Sequence, residues 1–160
     1  MNRIGIDIGR VIIGPQLGGV ADTSFLGSQL KDALRTPPAE GSFDVIAGLV
    51  ARTEGQVWLV SKCGPNVQKK TVAWLEHHQF WARTGMDPGH LRFCLHRPEK
   101  ALHARELALS VMIDDRLDVL EHLRGIVPDL LLFGEQARPA PEWTTHVGDW
   151  EAVAGWFGVG

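Results

Sequence analysis

The chain has 160 residues, 44% of them hydrophobic, and a formal charge of -3 at neutral pH. That length supports one well-packed domain and is short for two. The mild acidity gives no global reason to expect a nucleic-acid or membrane partner, although a local basic patch stays open. Two cysteines, Cys63 and Cys94, without a leader-like start or an apolar run of bilayer length, read as a reduced, cytoplasmic protein.

In chain order, Ile4-Gly5-Ile6-Asp7-Ile8-Gly9-Arg10 is a β-branched apolar run that reaches a carboxylate and then a glycine. This predicts a buried strand ending at Asp7. Residues 14–40, with several glycines and the pair Pro37-Pro38, read as a loop or flap insert holding a short helix near Leu26 to Leu34. Phe43, Val45, Ile46, Leu49 and Val50 have helical spacing, with Ser42 as N-cap and Gly55 as the stop. Val57 to Val60 forms a second buried strand that delivers Ser61 to its end.

Val67 to Phe80 predicts a helix, 81–89 a loop and Leu91 to Leu95 a third strand. Pro98 suits the first turn of a helix with Ala101, Leu102, Leu107 and Ala108 on its apolar face. Ser110 to Ile113 is a fourth strand, running into Asp114-Asp115-Arg116-Leu117-Asp118. A helix over 115–124 turns Leu117, Leu120 and Leu123 inward, and a fifth strand covers Leu130 to Phe133. Gly134 to Pro141 is loop, and Asp149 caps a last helix, Trp150 to Phe157. Strands alternating with helices imply a three-layer α/β/α parallel sheet of Rossmann-like type with right-handed crossovers.

In such a sheet ligands bind beyond the carboxyl ends of the strands. Asp7, Ser61, the start of the helix bearing Lys100 and the acidic run from Asp114 to Asp118 all fall on that edge. Singly each has a bland explanation, because Asp and Ser favour turns and acids favour the first turn of a helix. The seven histidines show no paired spacing that suits zinc. His96 falls near the presumed crevice, and Cys63 reads as a small half-buried thiol. The six tryptophans read mainly as core, Trp74, Trp150 and Trp156 in particular.

The ordered set Asp7, Ser61, Lys100 and Asp114 to Asp118 resembles the haloacid dehalogenase-like superfamily, over most of the chain from Ile4 to Phe157. The resemblance implies that Asp7 is a nucleophile forming an aspartyl-phosphate, that Ser61 donates to the phosphoryl group, and that Lys100 pairs with Asp7, with Arg97 as a competitor. It implies Mg²⁺ held by Asp7, Asp114 and the Gly9 carbonyl, with Asp115 or Asp118 acting directly or through water. It also implies a single domain over 1–160 with little or no cap and a small phosphorylated substrate. The run at Asp114 and the closing helix look most like the nucleotidase and polynucleotide 3'-phosphatase branches.

Gly9 departs from the pattern. Phosphatases of this type carry a second aspartate at that position as general acid, and glycine has no proton to give. The expectation is therefore a phosphatase acting on nucleotide-like or activated phosphates. The rival is a catalytically weakened domain that binds a phosphorylated ligand or a protein partner.

Overall fold

In the computed structural model, which describes residues 1–14 and 25–160, six parallel strands form one sheet. In chain order the elements are β1 (Ile4–Ile6), α1 (Leu30–Arg35), α2 (Ser42–Arg52), β2 (Val57–Lys62), α3 (Pro65–His77), α4 (Phe80–Thr84), β3 (Leu91–Cys94), α5 (Lys100–Glu106), β4 (Val111–Asp114), α6 (Leu117–Glu121), β5 (Asp129–Phe133), β6 (Thr145–Val147) and α7 (Trp150–Phe157). The strand order is β3-β2-β1-β4-β5-β6, which puts β1 between β2 and β4. The chain leaves β1 toward one side of the sheet and returns to the other at β4. Such a reversal opens a crevice at the strands' carboxyl ends.

Side-chain alternation sorts each strand onto two cores. Ile4, Ile6, Val57, Leu59, Val111 and Ile113 join the larger cluster beneath α2, α3, α4 and α7. Trp58, Val60, Met112, Leu130 and Leu132 face the other way and pack with Ala104 of α5, with Leu107 just after it and with Leu120 of α6. The same parity places Gly5 on the second face, where an added Cβ would lie 2.6 Å from Leu109 Cδ1 and 2.8 Å from Met112 Sδ. Glycine there lets the second core close against the central strand.

The parallel α/β architecture matches the expectation from sequence, with differences in detail. β6 is an additional strand. Thr145-His146-Val147 exposes its first two residues and buries only Val147, so it carries almost no apolar pattern and is defined by its pairing with β5. Helix α3 stops at His77 because Gln79 takes a left-handed backbone, φ 57°, and α4 follows where a loop was expected. Gly41, at φ 78°, is the N-cap of α2; Ser42 lies inside the helix, its buried hydroxyl lacking a hydrogen-bond partner.

Leu102 is 66% exposed and Leu117 36% exposed, both against expectation. Along α5 the buried stripe is Lys100 and Ala104, continued by Leu107 at the C-cap, at i, i+4 and i+7, and Leu102 points the opposite way. Helix α6 begins only at Leu117, so its inward stripe is Val119 and Leu120, followed by Leu123 beyond its end. Trp74 and Trp150 are core, whereas Trp156 is 37% exposed. The insert expected at 14–40 falls partly on residues 15–24, outside the described residues; of the remainder, α1 and an antiparallel bridge between Ile13 and Pro38 are present.

Candidate active site

Strand alternation also places the acids. Asp7 follows Ile6 and Asp114 follows Ile113, in register on adjacent strands, so both carboxylates turn to the face that α5 covers. Lys100, the first residue of α5, is 2% exposed and inserts between them. Its Nζ donates to Asp7 Oδ1 at 3.0 Å and to Asp114 Oδ2 at 2.7 Å. The Arg116 backbone N–H donates to the other Asp114 oxygen at 3.0 Å, so that fully buried carboxylate is held at both ends. Lys100 rather than Arg97 takes the buried cationic place; Arg97 instead pairs with Asp118 at 3.2 Å.

Among the described residues, Asp7, Asp114 and Asp115 form a group whose carboxylate oxygens lie within 4.8 Å of one another. Asp118 is not in it. Its side chain is 53% exposed and accepts from Arg97 and, at 3.4 Å, from Arg116. The cause is local: Arg116 is extended (φ -110°, ψ 116°), so the helix starts too late for Asp114 and Asp118 to share one helical face. The expectation that spaced these two acids one turn apart relied on a helix beginning at Asp115.

Crowding shows in the protonation of the cluster. Burial, with the charges of Asp7 and Asp114 acting in the same direction, pushes the Asp115 carboxyl up to about 8. Burial and the Asp7 charge raise Asp114 to about 6, against the opposing pull of Lys100. For Lys100, burial alone would lower the pKa, but the charges of Asp114 and Asp7 outweigh it and the ammonium holds its proton more tightly than a free lysine. One cation thus faces three acids, and the excess negative charge is relieved by protonation or by a second cation. All-oxygen donors on a compact site suit Mg²⁺.

Ser61, 6% exposed, comes from β2 and points by alternation to the opposite face from Lys100. Together with Asp7, Gly9 and Cys63 it lines a cavity of about 250 Å³. The Cys63 thiol hydrogen-bonds to the Ser61 side chain, and burial raises the thiol pKa. His96 is exposed at the cap of the turn before α5, its backbone N–H bonded to Glu99. Other histidines have structural partners: His78 meets the Leu34 carbonyl, His90 that of Val57 and His103 that of Phe93.

Sequence reasoning missed the other walls of the cavity, Ile13, Phe25, Val67 and Thr71. Val67 and Thr71 were legible only as helical spacing, without any sign that this face of α3 borders the crevice. Missed too was the contact that braces the first loop, the Trp150 indole donating to the Val11 carbonyl at 2.7 Å.

This sheet order, with an acid at the end of the central strand and a lysine and acidic pair beside it, has the haloacid dehalogenase-like fold. No family model and no curated protein matches the chain. Among solved structures, the D,D-heptose 1,7-bisphosphate phosphatase from B. bronchiseptica, complexed with magnesium and phosphate, is similar over 98% of both chains with a TM-score of 0.69 and 16% identity. A haloacid dehalogenase-like family hydrolase from Xanthomonas campestris covers 96% of this chain and 94% of its own, with a TM-score of 0.62 and 13% identity. At such identities the likeness is one of fold.

Proposed function

We propose that the protein is a Mg²⁺-dependent phosphatase that transfers a phosphoryl group to Asp7 and then to water. The observation that carries this reading is the buried Asp7–Lys100–Asp114 arrangement with Asp115 beside it, on the crevice edge of the sheet. Both similar folds belong to hydrolases by name, and one was solved with magnesium and phosphate.

Asp7, Asp114, Asp115 and the Gly9 carbonyl would hold the ion, which when bound offsets phosphate charge and helps orient the phosphoryl group. An Asp7 carboxylate oxygen attacks phosphorus; the new O–P bond forms as the bond to the leaving group breaks, and the departing oxygen carries that electron pair. Lys100 anchors Asp7 through Oδ1 and balances its charge, while the Ser61 hydroxyl donates to a phosphoryl oxygen. Water then cleaves the aspartyl-phosphate, releasing phosphate and restoring Asp7. Asp118 has a different part in this scheme: with Arg97 it ties the turn before α5 to the start of α6, bracing Lys100 against the acidic pair.

Gly9 supplies no proton to the leaving group, which favours activated phosphates among the substrates. The chain's two free thiols support a cytoplasmic setting, and among the described residues no helix is long and apolar enough to cross a membrane. The same glycine favours a second reading, a weakened domain that binds a phosphorylated ligand or a protein partner without turnover. Phosphate release from monoesters and acyl phosphates, with Mg²⁺ or chelator and with Asp7→Asn as control, separates the two. Mg²⁺-dependent release above the control establishes the enzyme; none on any substrate favours the binding domain.

A further inference from the structure

We infer that the cavity beside Asp7 selects phosphorylated compounds whose leaving group is a compact apolar body, and that Phe25 and Val67 set the size it accepts. This rests on the phosphatase reading above. At about 250 Å³ the cavity is smaller than the roughly 300 to 1,000 Å³ typical of sites for drug-sized ligands. Asp7 and Ser61 contribute its reactive groups. Ile8 and Ile13 come from the loop after β1, Phe25 from beyond it, and Val67 from the first turn of α3, with Thr71 one turn further on the same face.

Ile8, Ile13 and Phe25 are also members of the larger core, 1%, 1% and 8% exposed, so this wall is anchored by packing and does not move aside freely. Gly9 lines the cavity without a side chain, leaving room where the leaving group departs. Lys62, the cation of the lining, is exposed and keeps its hydration. With the phosphoryl group seated at Asp7 and Ser61, the remaining space suits a short acyl chain or one aromatic ring. A ribose with its base, or a hexose, brings hydroxyl and amide groups that would lose water against Ile8, Ile13, Phe25 and Val67, and the Thr71 hydroxyl and Cys63 thiol of the lining are too few to replace it.

The test compares kcat/KM with Mg²⁺ for benzyl phosphate, propyl phosphate, adenosine 5'-monophosphate and glucose 6-phosphate, all esters of primary alcohols, so that leaving-group acidity does not set the order. The first two are expected to exceed the last two by about tenfold or more. Val67→Trp, which narrows the cavity, is expected to lower kcat/KM for benzyl phosphate about tenfold while changing that for propyl phosphate less than about threefold. Val67→Ala widens it and is expected to raise the rate on naphthylmethyl phosphate relative to benzyl phosphate, which keeps the test decisive if the tryptophan variant melts early. Asp7-dependent release that is equal or faster on the nucleotide or the hexose phosphate overturns the pocket assignment and leaves the phosphatase reading standing. No Asp7-dependent release from any of these four or from acetyl phosphate overturns the phosphatase reading and this inference together.

Discussion

The Trp150 indole N–H donates to the Val11 carbonyl at 2.7 Å, joining residues 139 apart in the chain. Val11 belongs to the turn in which the amides of residues 11, 12 and 13 all converge on the Ile8 carbonyl, next to Asp7. The last helix of the chain thus braces the loop that follows the first strand. Trp150→Phe keeps most of the buried ring and strands the Val11 carbonyl, so it is expected to lower stability by about 1 to 3 kcal/mol. Urea denaturation checks this, and a parallel fall in phosphatase rate would show that the brace also positions Asp7. An unchanged denaturation midpoint would mean that the carbonyl finds another donor.

Lys100→Met removes the cation that two buried carboxylates share. Breaking such a group by deleting one partner leaves uncompensated charge, and the expected loss is about 3 to 5 kcal/mol. Mg²⁺ should recover part of it by taking over the neutralisation. A variant as stable as the parent in chelator would show that Asp7 and Asp114 are not jointly ionised.

The acidic cluster makes stability depend on pH. Asp115 binds its proton far more tightly in the folded protein, with a pKa of about 8, than a free carboxyl does, and Asp114 follows at about 6. The folded state therefore holds more protons than the unfolded one between the ordinary carboxylate range and about pH 8, and metal-free stability falls as pH rises through that window. Thermal melts in chelator should decline from about pH 5 to about pH 8 and level off above. Added Mg²⁺ should stabilise more at the alkaline end, where its ligands are already deprotonated. A metal-free melting temperature that rises over this range would contradict the crowded carboxylate arrangement.

Gly9→Asp restores a carboxyl beside the leaving group. If the missing acid limits ester cleavage, phosphomonoesterase activity rises, with about 10²- to 10⁴-fold as the ceiling for a positioned acid. Activity on acyl phosphates, whose leaving groups need no proton, should change far less. A flat or reduced monoester rate in a well-folded variant would place the limitation elsewhere.

Gly5→Ala tests the packing of the central strand. Its Cβ would overlap Leu109 and Met112 on the second core. Overpacking of this kind destabilises by about 1 to 3 kcal/mol. Combining it with Met112→Ala should recover part of the loss, which calorimetry would detect.

Local signals in the sequence determined the alternation of strands and helices, the end of the first strand to within one residue, at Ile6 just before Asp7, and the last helix from Trp150 to Phe157. Asp149 does accept from the Ala152 N–H there, the N-cap bond its residue type promised. They also indicated which edge of the sheet would carry Asp7, Ser61, Lys100 and the acidic run, because strand direction and strand ends are written in short-range pattern. The grouping of Lys100 with Asp7 and Asp114 was expected by resemblance to a family; the hydrogen bonds that build it depend on strand register and on the face α5 covers.

Tertiary structure alone decided the rest. β6 exists because β5 offers an open edge, and its own residues barely encode a strand. Asp118 turned outward because Arg116 is extended and Arg97 stands opposite, a choice no spacing rule between Asp114 and Asp118 contains. The cavity walls at Phe25 and Val67, and the tie from Trp150 to Val11, join segments far apart in the chain. Periodicity reports which side of an element is buried; which partner buries it is settled only when the layers close.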